Sequence, residues 1–195
     1  MGFSKRLGKF MLKVMGWKAE GGAVPESKCI VLGVPHTSVV DFVVAWSYCS
    51  SVGMPPNILI KKEFFFWPLG WLLKKMGALP VDRSKGSNAA MHSIKALQEA
   101  KTMYLAIAPE GTRKKTARWK MGFLTIAKAC DVPIYLGYFD YKFKRVGHGP
   151  RFVVSANPKE DMKRIQAHYA AMHLEGRHKD CFSCGDVEPE LIQQL

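Results

Sequence analysis

His36 and Asp41 are the residues whose types and spacing suggest acid–base chemistry in this chain. They lie in Val34-Pro35-His36-Thr37-Ser38-Val39-Val40-Asp41. A carboxylate that accepts from one imidazole nitrogen fixes the tautomer and stabilises the imidazolium, and the other nitrogen is then free to take a proton from a hydroxyl. Five residues apart on a regular helix, the two side chains point about 140° away from each other. They meet only if His36 precedes a helix and Asp41 lies in its first turn. The same letters have a plainer use, because Ser38-x-x-Asp41 is a capping box and opens a helix with no catalysis at all. On this stretch alone both readings stand.

No nucleophile belonging to the protein accompanies the pair. There is no GxSxG, and Ser38 suits the cap better than an attack. A base without its own serine points to a substrate that brings the hydroxyl. Base catalysis of this kind contributes roughly 10²–10⁴-fold, so positioning must supply much of the remainder. Arg83 and Arg113 have the fork geometry that binds phosphate bidentately. Gly111 lets the backbone approach an anion closely, and Thr112 adds a hydroxyl donor. The run Pro109-Glu110-Gly111-Thr112-Arg113 reads equally as a surface turn with Glu–Arg pairing.

The elements around these residues follow from hydrophobic patterning. Residues 29–34 are apolar on both faces, which suits a central parallel strand, and they run directly into His36. A helix follows to about Val52, stopped by Gly53-Met54-Pro55-Pro56. Further strands are expected at 57–60, 78–81, 103–108 and 133–139, with helices at 88–100 and 122–130. A hairpin of 141–146 and 151–155 is expected to turn at Gly147-His148-Gly149-Pro150, and 159–175 to form an exposed helix ended by Gly176. Strands and helices alternate from 29 to 139. The fold class is therefore α/β, a mostly parallel twisted sheet with helices on both faces, preceded by an N-terminal amphipathic helix. Functional groups should gather at the carboxyl ends of the strands, and His36, Lys62, Arg83 and the run Glu110 to Arg113 all follow expected strands.

One domain is expected over 1–195, divided into an amphipathic helix that lies on a membrane surface (1–20), a catalytic core (28–156), and a C-terminal helix with a polar tail (157–195). The first helix carries Lys5, Arg6, Lys9 and Lys13 and no acid, with Phe3, Leu7, Phe10, Met11, Val14 and Met15 at steps of three and four. Packing of this helix on its own domain accounts for the pattern equally well. Phe64-Phe65-Phe66-Trp67 with Trp71 cannot all lie on one helical face, so some apolar partner (protein, acyl chain or lipid) should cover the remainder.

The formal charge is +13, from 29 Lys+Arg against 16 Asp+Glu. Such an excess favours an anionic partner. No nucleic-acid-reading motif is present, so nucleic acid is not expected as a partner. No stretch reaches the roughly 18 apolar residues of a spanning helix, and no signal peptide is seen. Five cysteines without framework spacing point to free thiols on the cytosolic side. The lone Cys181-Phe-Ser-Cys184 lacks further ligands, and no metal site is expected.

Taken together, the blocks match a known family. His36-Thr-Ser-Val-Val-Asp41 fits HxxxxD. Lys62-Glu63 through Pro68, Gly70, Gly77 and Val81-Asp82-Arg83 fits a second block, Pro109 to Arg113 a third, and Val132-Pro133-Ile134 a fourth. Over residues 28 to 140 the chain resembles the glycerolipid acyltransferases of the 1-acylglycerol-3-phosphate acyltransferase type. The resemblance implies transfer of a fatty acyl group from acyl-CoA or acyl carrier protein to the hydroxyl of a lysophospholipid such as 1-acylglycerol-3-phosphate. His36 would be the general base and Asp41 its orienting partner. Lys62, Arg83, Glu110, Gly111, Thr112 and Arg113 would hold the acceptor. No cofactor beyond the thioester co-substrate is implied. The partners would be an anionic membrane surface, a lyso-lipid and the acyl carrier, and the location the cytoplasmic face of the membrane, peripherally. Ala108, where Phe is frequent, and Trp119-Lys120-Met121-Gly122, where Phe-Lys-x-Gly is common, depart from the family pattern. They leave the chemistry in place and a non-phosphate lyso-lipid, such as a lyso-aminolipid, as an alternative acceptor. A non-catalytic lipid-binding module of the same fold is a separate alternative, against which the intact His36 and Asp41 argue.

Overall fold

The computed structural model describes residues 2–81, 88–185 and 187. A seven-stranded sheet organises them. Its strands are β1 (Lys18–Glu20), β2 (Lys28–Leu32), β3 (Pro56–Lys61), β4 (Ala78–Val81), β5 (Met103–Ile107), β6 (Ile134–Asp140) and β7 (Arg145–Phe152), in the spatial order β1-β7-β6-β2-β5-β3-β4. Every neighbouring pair is parallel except β6–β7. The helices are α1 (Gly2–Val14), α2 (Val40–Val52), α3 (Leu69–Lys75), α4 (Asn88–Glu99), α5 (Gly122–Cys130) and α6 (Pro158–Ala171).

Strand β2 lies at the centre because it is apolar on both faces. Cys29 and Val31 point to one side, where Val44, Tyr48 and Cys49 of α2 and Leu12 of α1 cover them. Ile30 and Leu32 point to the other, where they meet Leu97 of α4, Phe123 and Leu124 of α5, and Ile165 and Tyr169 of α6. Each fully buried Leu, Ile or Phe contributes about 1.5–3 kcal/mol, so the sheet has a core on each face, as the unbroken run predicts. From β2 the chain first goes out on one side to β3 and β4 and returns with β5 between β2 and β3. It then crosses to β6 on the other. The carboxyl end of β2 is therefore where connections diverge, the usual location of a binding crevice.

Helix α1 packs on its own domain and still leaves an apolar stripe bare. Gly8 presses on α2 so closely that a Cβ there would lie 2.5 Å from the Ser47 carbonyl oxygen. Gly8 and Leu12 are buried, and Met11 and Met15 are half-buried, while Phe3 (80% exposed), Phe10 and Val14 face outward with Leu7 between them. Residues 18–20, grouped with the N-terminal helix on sequence, form the edge strand β1.

Two expectations fail. The hairpin turns at 141–144, and Gly147-His148-Gly149-Pro150 lies within β7. Asp140 makes the turn, because its Oδ1 accepts from the Lys142 N–H at 3.1 Å, and Lys144 takes φ 52°. Pro150 sits where the ladder is already interrupted, between the Tyr135–Arg151 and Gly137–His148 pairs, so its missing N–H breaks no bond. Gly147 serves close packing: a Cβ there would lie 2.7 Å from the Glu20 carbonyl oxygen. The C-terminal helix is not exposed either. It buries Asp161, Met162, Ile165, Ala167 and Tyr169, and it ends at Ala171 before His173 turns at φ 49°.

Candidate active site

The backbone leaving β2 keeps its partner for two more residues. Val34 accepts from the Phe139 N–H at 2.8 Å, which holds the start of the His36 loop against β6. The chain then curls through 37–39 before α2 begins at Val40. That curl places Asp41 in the first turn, pointing back. Asp41 Oδ2 accepts from the N–H groups of Thr37 and Ser38, each at 2.7 Å, and lies 3.4 Å from His36 Nδ1. The helix start and the His–Asp pair are thus one arrangement. Asp41 returns a bond to Ser38 N–H, while Ser38 Oγ accepts from Val40 N–H at 3.2 Å rather than from Asp41 N–H. The N-cap position itself is Val39, which has no side-chain cap, so the full capping box is not formed.

Asp41 is 1% exposed and its partner His36 29% exposed, so the carboxylate is sealed and the imidazole reaches solvent. A buried carboxylate is tolerated only when its lone pairs are met, and Asp41 Oδ1 is met as well, by Tyr141 Oη at 2.5 Å. Among the described residues none hydrogen-bonds His36 Nε2. A base with one nitrogen held by a carboxylate and the other open to the outside can accept a proton from a bound hydroxyl.

Glu110 enters from the end of β5 and faces inward. Its Oε1 accepts from the His36 backbone N–H at 2.8 Å, and its Oε2 is buried without a hydrogen-bond partner among the described residues. The residue is 5% exposed, and burial pushes its carboxyl up to about 7. Gly111 follows at φ 65°, with its face against Lys120, where a Cβ would lie 3.0 Å from Cγ. Thr112 is half-buried, and its Oγ1 accepts from Lys114 N–H at 3.2 Å. Arg113 is exposed. Lys62 is exposed in a single 3-10 turn directly after β3, the strand beside β5. Arg83 lies outside the described residues. The fold therefore joins His36, Asp41 and Glu110 by direct contact and sets Lys62 and Arg113 at neighbouring strand ends.

Sequence reasoning did not single out Tyr141 or the segment after α6. That segment covers the curl: His178 N–H donates to Thr37 Oγ1 at 3.4 Å, and Gly176 fits so tightly that a Cβ would lie 2.6 Å from Thr37 Cγ2. Tyr141 follows β6 at its carboxyl end, so the rule that selected His36 and Glu110 selects it too once β6 is known to neighbour β2. Among the described residues no three His, Cys, Asp or Glu side chains group as a metal site. Burial pushes the Cys184 thiol up to about 12.

Beside the crevice the aromatic run is largely uncovered. Phe64, Phe66, Trp67 (86% exposed), Trp71 and Leu72 face outward, while Gly70 is pressed on the Phe65 backbone. The unit is tied down by Trp46 Nε1, which donates to the Met76 carbonyl at 3.1 Å.

A protein-family model described as Acyltransferase matches residues 18–136, more than half of the chain. A 1-acyl-sn-glycerol-3-phosphate acyltransferase of Cocos nucifera is 34% identical over 137 residues, which are 65% of this chain and 42% of that protein. The chain thus spans less than half the length of this relative. The crystal structure of the 1-acyl-sn-glycerophosphate acyltransferase PlsC from Thermotoga maritima superposes with a TM-score of 0.63 at 14% identity, covering 87% of this chain and 78% of that one, a likeness of fold. The His–Asp pair therefore lies inside the matched span, and the chain belongs to the acyltransferase family.

Proposed function

We propose that the protein is a membrane-surface O-acyltransferase that moves a fatty acyl group from acyl-CoA or acyl carrier protein to the hydroxyl of a lysophospholipid such as 1-acylglycerol-3-phosphate. The observation that carries this reading is the His36–Asp41 pair, anchored by a buried carboxylate and open at Nε2. In the reaction His36 Nε2 takes the acceptor's hydroxyl proton as the oxygen attacks the thioester carbonyl carbon. An ester C–O bond forms, the C–S bond breaks, and the imidazolium returns the proton to the leaving thiolate. Asp41 stabilises the imidazolium in between. Glu110 holds the His36 N–H from the inside and so sets the base. Arg113, Arg83, Lys62, Gly111 and Thr112 bind the acceptor's phosphate. No cofactor enters beyond the thioester. The test is transfer of labelled acyl chains from both donors to a panel of phosphorylated and unphosphorylated lyso-lipids. Transfer to none of them defeats the reading.

The phosphate has its own test. Arg113→Ala raises the apparent KM of a phosphorylated acceptor by about tenfold or more with little change in kcat, since a lost charge-assisted hydrogen bond costs about 1.5–3 kcal/mol. An unchanged KM points to an unphosphorylated lyso-lipid, the alternative acceptor, or to phosphate binding by Arg83 alone.

Peripheral association with the cytoplasmic face is part of the same reading. Among the described residues no helix is long and apolar enough to cross a membrane, and all five cysteines are free thiols. The bare stripe of α1 and the exposed aromatics of 64–72 supply apolar contact. Lys5, Lys9 and Lys13 line a groove of about 650 Å³ together with Gly21 and Gly22, and they supply charge for anionic headgroups. Each such cation adds about 1 kcal/mol near an anionic surface. The triple change of Lys5, Lys9 and Lys13 to Gln should therefore weaken sedimentation with anionic vesicles by about 100-fold and leave binding to zwitterionic ones alone. Deleting residues 1–18 would be a poorer test, because Leu12 and Trp17 belong to the core. Equal binding of the triple variant and the parent to anionic vesicles removes the α1 lysines from the membrane contact.

A further inference from the structure

Tyr141 is the side chain at this site that no block of the family pattern accounts for. Its hydroxyl is the only donor to Asp41 Oδ1 among the described residues, at 2.5 Å, whereas Oδ2 receives two backbone N–H groups and faces His36. The phenol ring is clamped. Trp17 meets it edge-on with centroids 4.8 Å apart and planes at 88°, Lys144 Nζ lies over it at 5.7 Å, and the Tyr141 backbone N–H donates to the Glu175 carbonyl at 2.9 Å. Burial and the Asp41 carboxylate hold the hydroxyl well above the usual phenol range, so it serves as a donor throughout the pH range of activity.

We propose that Tyr141 is a positioning residue for the base: its hydroxyl locks the plane of the Asp41 carboxylate so that Oδ2 stays aimed at His36 Nδ1, and it draws off part of the carboxylate's charge. This rests on His36 acting as the base. Two consequences follow from the hydrogen bond. Without it, Oδ1 is a buried acceptor with no donor and the carboxylate is free to turn about its Cβ–Cγ bond, so the imidazole is held less well. The carboxylate also becomes more basic, because a hydroxyl that donates to it withdraws electron density, and a more basic Asp41 stabilises the imidazolium more strongly. The charged groups facing this relay are Asp41 from α2, Glu110 from the loop after β5 and, acting on Tyr141, Lys144 from the turn before β7 and Arg177 from the segment after α6. None of them changes when the hydroxyl alone is removed.

The experiment is Tyr141→Phe, which keeps the ring against Trp17 and Lys144. The expected result is a kcat about tenfold lower, acceptor and donor KM values unchanged, and the acid limb of the kcat/KM profile displaced to higher pH by several tenths. The ¹⁵N titration of the His36 ring, read without substrate, moves in the same direction. Unchanged kcat together with an unmoved His36 titration overturns the proposal. A moved titration in a protein whose His36→Ala variant keeps full activity keeps the Tyr141–Asp41–His36 coupling and defeats the assignment of His36 as base instead. Should Tyr141→Phe fail to fold, 3-fluorotyrosine placed at 141 alone makes a stronger donor, and the His36 titration then moves to lower pH. A shift in the other direction, or none, counts against the coupling.

Discussion

Replacing His36 with alanine lowers kcat/KM by roughly a thousandfold, within the 10²–10⁴-fold range that a positioned base contributes, and leaves the fold intact. The size follows from the site's construction. The imidazole offers a nitrogen that no described residue hydrogen-bonds, and without it the acceptor's hydroxyl must lose its proton to water. The fold survives because the contacts that organise the loop are not made by the imidazole. Glu110 accepts from the His36 backbone N–H, which alanine retains. Asp41 keeps Thr37 N–H, Ser38 N–H and the Tyr141 hydroxyl. A side chain that is partly open to solvent and removed from such a frame changes stability by about 1 kcal/mol or less. The checks are single-turnover acyl transfer and a thermal melt on the same preparation. Activity within tenfold of the parent, with the melt unchanged, removes His36 from the base's role.

The sequence made this site legible where local rules decide the outcome. The apolar run of β2 requires cover on two faces, and the helices supply it. The letters of 36–41 allow a cap or a catalytic pair, and one curl of backbone makes the pair and half of the cap. Chemistry that depends on neighbours in space was not legible. Tyr141 is 100 residues from Asp41, and only the β2–β6 pairing brings it there. Glu110 carries the letters of a surface ion pair with Arg113, yet its carboxylate turns inward because the His36 N–H needs an acceptor. The glycines and proline of 147–150 have turn composition, and their use inside β7 is set by Glu20 and the ladder interruption. In α1 the six apolar positions divide between α2 and the outside, a division that periodicity cannot make because the two sets share one broad face.

The second large effect belongs to Glu110, and it appears in stability rather than rate. Burial raises its carboxyl from 4.5 to about 7. A carboxyl whose value is higher in the folded chain than in the unfolded one binds its proton more tightly when folded. The stability it adds is therefore complete below about pH 4.5 and is lost as pH rises through about 7. At about 1.4 kcal/mol for each pH unit, the loss across that window comes to about 3 kcal/mol. Glu110→Gln keeps an oxygen for the His36 N–H and has no charge to bury, so it should abolish this slope. Guanidinium unfolding at pH 5 and pH 8 measures most of it: the parent loses about 2–3 kcal/mol more than the variant between the two, and at pH 8 the variant is the more stable protein. Parallel losses in the two proteins would mean that Glu110 stays ionised throughout, with Oε2 reached by a donor supplied from water. The expected slope also bears on the reaction, because an ionised Glu110 puts a second negative charge next to Asp41 and His36. A rise of activity with pH through the same window in the parent, absent from Glu110→Gln, would tie the buried carboxyl to the base it supports.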